Sequence, residues 1–253
     1  MTYTHNTYGD DFADVYDEWY HDLDVIDDCI EFLLQLATGG TVLELGVGTG
    51  RIAIPLAIRG AALGVSVIGI DSSVAMLERL ETKQGEGARV KVVLGHLVQD
   101  MTEGTFSVVL LAYNTLFNLL SADEQLECLC RVATRLAPGG HLVVDCFVPA
   151  SELPNFIAAH VHRVTPTGVV ISEAVVIADQ QRVDGVFTEV FNDGRRVEHP
   201  WSIRYSSVAD IDAMATLAGL KCEQRWSNYG RDEFTDESAR HISVYGRAPI
   251  HGA

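Results

Sequence analysis

Residues 42–51, Val-Leu-Glu-Leu-Gly-Val-Gly-Thr-Gly-Arg, constrain the fold more than any other stretch of this chain. The apolar run through Leu45 predicts a buried parallel strand over 41–45, and Gly46, Gly48 and Gly50 predict a tight turn opening a helix over 50–60. Three glycines in five residues remove Cβ atoms that would block a ligand, and the helix start offers N–H groups with no intrahelical partner. Such a turn can also be a plain strand-to-helix connection.

The next strand favours a ligand. Residues 65–71, Val-Ser-Val-Ile-Gly-Ile-Asp, end a second apolar run in Asp71, and an acid at the end of the second strand of a nucleotide fold can accept both hydroxyls of a ribose. Ser72 and Ser73 are N-cap candidates for a helix over 72–83 carrying Val74, Met76, Leu77 and Leu80 on one face; Asp71 could itself be a cap. Together these pieces predict a nucleoside-binding βαβ unit.

Spacing separates two families. Dinucleotide sites usually read G-x-G-x-x-G, whereas here Glu44, Gly46, Gly48 and Gly50 give E-x-G-x-G-x-G. That pattern, with a strand ending in Asp71, resembles class I S-adenosylmethionine-dependent methyltransferases of the small-molecule type. Asp71-Ser72-Ser73-Val74-Ala75-Met76-Leu77 resembles the family's post-ribose segment, Phe106–Leu110 its fourth strand, and Leu136-Ala137-Pro138-Gly139-Gly140 the turn before its fifth. The resemblance covers roughly residues 40–148. A short-chain dehydrogenase would need a Tyr-x-x-x-Lys pair, and none of Lys83, Lys91 and Lys221 stands four residues after a tyrosine. A cofactor-binding regulatory or scaffold protein of the same fold is the non-enzyme alternative, motivated by His96 and the lack of an obvious base.

The alternation of strands and helices predicts a doubly wound α/β sheet. Strands are expected near 41–45, 65–70, 89–94, 106–111 and 141–147, with helices near 50–60, 72–83 and 122–137, after two helices within 10–37. Beyond residue 150, segments 168–178, 183–191 and 196–205 read as antiparallel strands, with a hairpin signal at Asn192-Asp193-Gly194. A helix near 208–218 and strands near 221–227 and 240–247 complete the chain. The resemblance implies a Rossmann-like seven-stranded sheet, mostly parallel with an antiparallel last strand, plus an inserted antiparallel β cover. Within one domain over 1–253, it divides the chain into an N-terminal helical lid (1–37), a cofactor core (38–150), the cover (151–206) and a C-terminal part (207–253).

With 35 acidic against 18 basic residues, a formal charge of −17, the average field repels nucleic acids and anionic membrane surfaces. No apolar run approaches the roughly 20 residues that span a bilayer, and no signal peptide is expected at the N-terminus. The five cysteines form no C-x-x-C pair; Cys128 and Cys130 diverge by about 200° on a helix, which argues against a metal site. A reducing, cytoplasmic setting is expected. Nothing in the sequence sets an oligomeric state.

The resemblance implies S-adenosylmethionine as cofactor and an N- or O-methyl acceptor that is a small molecule, such as a sugar or secondary metabolite, or a short peptide. Glu44 would lie near the methionine amino group, Gly46 and Gly48 beside the methionine part, Asp71 on the ribose, and Ser72 and Met76 beside the adenine. At Gly95-His96-Leu97 many members carry an Asp in the middle position to receive the adenine amino group; here His96 replaces it, whose neutral imidazole offers one acceptor nitrogen that could still serve, a backbone carbonyl or the Gln99 side chain being the alternatives, with Leu97 N–H still able to meet the base. Tyr113 and Asn114, after the fourth strand, fall where the transferred methyl should point, and the segment lacks the Asn-Pro-Pro-aromatic motif of amide and nucleobase methyltransferases. Tyr16 is the catalytic candidate from the N-terminal segment, which could equally pack Phe12, Val15 and Trp19 as an amphipathic helix. In the cover region Glu173, His199, Arg204, Tyr229 and His241 are candidates for substrate contact that no spacing ranks.

Overall fold

The computed structural model describes residues 3–20, 26–85, 87, 89–151 and 153–248. β1 (Thr41–Leu45) lies inside a seven-stranded sheet, parallel to β2 (Ser66–Asp71) on one side and β4 (Phe106–Leu111) on the other. β3 (Lys91–Leu94) follows β2, while β5 (Leu136–Phe147), β11 (Arg240–Arg247) and β10 (Leu220–Trp226) follow β4. β11 is antiparallel to both its neighbours, as expected of the last strand.

Period-2 alternation divides the core into two layers. Leu43, Leu45, Val109 and Leu111 pack with Leu129 and Val132 of α6 (Ala122–Arg135) and Ile211 of α7 (Val208–Leu217). Val42, Val108 and Leu110 pack with Ile30 and Leu33 of α3 (Ile26–Ala37), Leu56 of α4 (Ala53–Gly60) and Leu80 of α5 (Val74–Lys83). Pro55 is the third residue of α4, in the first turn, where a missing N–H has no partner within the helix and proline is tolerated. Among the described residues no helix is long and apolar enough to cross a membrane.

Three elements depart from the sequence reading. The N-terminal segment forms two short helices, α1 (Thr7–Phe12) and α2 (Tyr16–Trp19), ahead of α3; residues 21–25 lie outside the described residues. β5 begins at Leu136 rather than 141, because Leu136 already pairs with Phe106 before a register shift across Pro138-Gly139-Gly140. The cover has a fourth strand, β6 (Phe156–Thr165), beside β7 (Gly168–Ile177), β8 (Arg182–Phe191) and β9 (Arg196–Arg204). β6 is an edge strand exposed at most positions, so it lacks the apolar alternation that marked its neighbours.

Candidate active site

The carboxyl ends of β1 to β5 open on one side of the sheet, where parallel α/β folds place their ligands. A cavity there is bordered also by residues of α1, α2, β8 and β9. All eleven candidate residues, Tyr16, Glu44, Gly46, Gly48, Asp71, Ser72, Met76, His96, Leu97, Tyr113 and Asn114, line this one cavity.

Glu44 sits at the end of β1 with its carboxylate inside the protein. Its Oε2 has no hydrogen-bond partner among the described residues. Burial pushes its pKa up to about 8, against the pull of Arg51 and with a further push from Asp71. Gly46 stands at φ +73°, and a Cβ there would lie 2.7 Å from Thr115 Cγ2. Gly46→Ala therefore combines a left-handed conformation with overpacking and is expected to cost about 2–3 kcal/mol in urea unfolding; a cost below about 0.5 kcal/mol would show that the turn relaxes freely.

Asp71 ties the turn to β2. Its Oδ2 accepts the Gly48 N–H at 2.8 Å and its Oδ1 the Ser73 N–H at 2.9 Å, which fixes the carboxylate plane at the cavity wall. Ser73 is the helix cap, accepting from Met76 N, whereas Ser72 donates its hydroxyl to His5 O and so belongs to the contact with the N-terminal segment.

That segment is docked by its acids. Ser73 Oγ donates to Asp10 at 2.6 Å, Thr49 Oγ1 to Asp17 at 2.6 Å, and Lys83 and Arg79 of α5 pair with Asp17 and Asp14. Phe12 and Trp19 are buried against Phe187 and His199 of the cover, while Tyr16 faces the cavity. Phe12 and Trp19 thus pack as the amphipathic reading expects, and Tyr16 is the residue of this stretch that lines the cavity. Burial raises the Tyr16 hydroxyl to about 12, and Arg51 Nη2 approaches it at 3.5 Å.

Tyr113 and Asn114 follow β4 with φ of +48° and +67°, two successive non-glycine residues in the left-handed region. Backbone held this way is maintained only by surrounding contacts. Asp145 on β5, 1% exposed, supplies them. Its carboxylate accepts the Tyr113 N–H at 3.1 Å and its main-chain oxygen the Asn114 N–H at 2.9 Å. The same carboxylate is held by Arg240 through Nε (2.6 Å) and Nη2 (2.5 Å) and by the Tyr229 hydroxyl (3.0 Å). The Tyr113 ring lies between the guanidiniums of Arg51 (4.1 Å) and Arg240 (5.0 Å), and its hydroxyl is buried with no partner among the described residues. Asn114 Oδ1 accepts the Phe147 N–H at 2.7 Å, which commits half of its amide to the scaffold.

None of the five substrate-contact candidates beyond residue 150 lines the cavity. His199 bonds Asp11 O, Arg204 is held by Gln125, Gln181 and Ser206, Tyr229 by Asp145, and His241 is buried in β11 beside Ser243; Glu173 is exposed. The walls instead include Arg51, Asn118, Phe147, Phe187, Trp201 and Ile203. Asp145 carried a readable signal, an acid inside the apolar run 142–147 that must find a partner. Phe187 and Trp201 carried none, being ordinary strand residues.

A family model described as a methyltransferase domain matches residues 42–140. The cypemycin N-terminal methyltransferase of a Streptomyces species is 30% identical over 215 residues, 83% of this chain and 84% of that protein. The CcbJ methyltransferase from Streptomyces caelestis superposes with a TM-score of 0.90 at 37% identity, covering 98% of this chain and 100% of that one. CalS10, an amino pentose methyltransferase from Micromonospora echinaspora, shares the fold at 17% identity and a TM-score of 0.68, covering 92% of this chain and 97% of its own.

Proposed function

Because this chain belongs to the S-adenosylmethionine-dependent methyltransferases, we propose that it methylates an amine, on a small molecule such as an amino sugar or secondary metabolite or at the amino terminus of a short peptide. The cavity fits the cofactor: Glu44 Oε2 is an orphaned buried acceptor, and the glycine turn is a cradle that a Cβ would fill. S-adenosylmethionine supplies a methyl on a sulfonium whose departure leaves a neutral thioether, so the protein has chiefly to hold and orient. Glu44 would hold the ammonium, Asp71 the ribose hydroxyls, and Arg51 with Tyr16 the carboxylate, while Ser72, Met76, His96 and Leu97 flank the adenine.

One observation carries the choice of nitrogen over oxygen. Among the described residues the carboxylates and imidazoles lining the cavity are Glu44, Asp71, His5 and His96, which this reading places with the cofactor or the N-terminal contact, and the remaining walls, among them Tyr113, Asn114, Asn118, Phe147, Trp201 and Ile203, carry neither group. A hydroxyl acceptor needs a base, whereas an amine needs only to arrive neutral. Tyr113 and Tyr16 do not supply one, since burial raises both hydroxyls above their ordinary value. Names of two similar proteins support an amine, being an N-terminal and an amino pentose methyltransferase. Radiolabelled methyl transfer to a panel of amino sugars and free-amine peptides, beside their O-nucleophile counterparts, tests this. Label on hydroxyl compounds alone would overturn it.

In this reading residues 1–37 act as a lid, 151–206 as the substrate cover, and the free thiols fit a cytoplasmic compartment. A linked proton provides a separate check. With its pKa raised to about 8, Glu44 is protonated in the free protein at neutral pH. The folded chain then holds a proton that the unfolded chain releases, so free-protein stability falls as pH rises from about 4.5 toward 8. A cationic ammonium draws out the carboxylate, and binding at about pH 7 should release up to about one proton. Calorimetry in buffers of different ionisation enthalpy reads this directly; Glu44→Gln should abolish the release, and no release from the native protein would place the ammonium elsewhere.

A further inference from the structure

The turn after β3 places an unusual group at the end of the cavity beyond Asp71. Gly95 N donates to Asp71 O at 2.9 Å, which seats residue 96 directly beside the ribose-holding acid, with Ser72, Met76 and Leu97 lining the same end. The Nδ1 atom of His96 accepts N–H groups from Val98 (3.3 Å) and Gln99 (3.4 Å), closing the turn on itself. A ring nitrogen that accepts carries no proton, so the neutral imidazole bears its hydrogen on Nε2. The one carboxylate of the turn, Asp100, is occupied by the His96 main-chain N–H at 2.8 Å. Burial and the neighbouring His5 ring, edge-on at 5.0 Å, lower the His96 pKa, and the neutral form prevails at neutral pH.

We infer that His96 is a specificity-determining residue that meets the adenine as a hydrogen-bond donor to a ring nitrogen, and that the exocyclic amino group finds no acceptor in this side chain. This rests on the S-adenosylmethionine assignment and deepens it. A carboxylate at this position would read the amino group and select for it; a donor reads a ring nitrogen and does not require the 6-amino group. Base selectivity here is then borne by shape and apolar contact with Met76 and Leu97 rather than by the amino group.

Calorimetric titration with S-adenosylhomocysteine and with its purine analogue lacking the 6-amino group tests this without turnover. The native protein should bind the two within about fivefold, because losing a hydrogen bond to a charged acceptor would cost roughly tenfold or more. His96→Asp should acquire a preference of roughly tenfold or more for the amino-bearing compound. A native preference beyond about fivefold overturns the inference, and this arm stands even if the variant does not fold. A folded His96→Asp protein whose ratio is no larger than the native one overturns it too. Failure of both compounds to bind would instead sink the cofactor assignment itself.

Discussion

Asp71→Ala is expected to weaken S-adenosylhomocysteine binding by about a hundredfold, measured by calorimetry at neutral pH. The carboxylate is positioned by two backbone donors, Gly48 N–H at 2.8 Å and Ser73 N–H at 2.9 Å, and its remaining lone pairs border the cavity. Each charge-assisted hydrogen bond to a ribose hydroxyl is worth roughly tenfold or more, and alanine removes both. It also leaves the Gly48 N–H without its acceptor, loosening the turn proposed to cradle the methionine part. Asp71→Asn keeps acceptor capacity but turns an NH2 toward one backbone donor, so an intermediate loss of about tenfold is expected. Unchanged affinity in a folded Asp71→Ala protein would remove this residue from the site.

Arg240→Met is expected to destabilise the fold by about 3–5 kcal/mol, read from the urea midpoint. Asp145 is 1% exposed, and Arg240 provides two of the bonds that make its burial tolerable. Removing one partner leaves an uncompensated buried charge, which costs far more than a surface pair such as Arg79 with Asp14 contributes. Replacing both, as Asp145→Asn with Arg240→Met, should recover much of the loss, because no charge is then stranded. The effect also reaches the site, since Asp145 holds the left-handed Tyr113–Asn114 backbone and Arg240 faces the Tyr113 ring. A loss under about 1 kcal/mol for Arg240→Met would show that the Tyr229 hydroxyl and the Tyr113 N–H suffice to satisfy the Asp145 carboxylate.

The part of the cavity around the glycine turn, proposed to hold the cofactor, was legible because its signals are local. Glu44, Gly46 and Gly48 lie within five residues, Asp71 closes the next apolar run, and each strand end delivers its residue to the same sheet edge once the order is parallel. His96 shows where a local signal stops. The substitution was visible, but which ring nitrogen carries the proton follows from the Val98 and Gln99 N–H groups folding back onto Nδ1. The walls around Tyr113 and Asn114 were less legible. Tyr113 and Asn114 could be placed after β4, yet Asp145 and Arg240, 95 positions apart, are joined only by the antiparallel pairing of β5 with β11.

By itself the sequence determined the βαβ core, the glycine cradle and the acid that closes it, since strand period, helix caps and glycine spacing are short-range properties. The tertiary structure decided which aromatic side chains wall the rest of the cavity and what holds them. Phe187 and Trp201 reach the cavity because a four-stranded sheet folds back over the strand ends, and Tyr113 keeps its place because a buried carboxylate found its guanidinium across the sheet. Those contacts depend on register between distant segments, a quantity that periodicity along the chain does not encode.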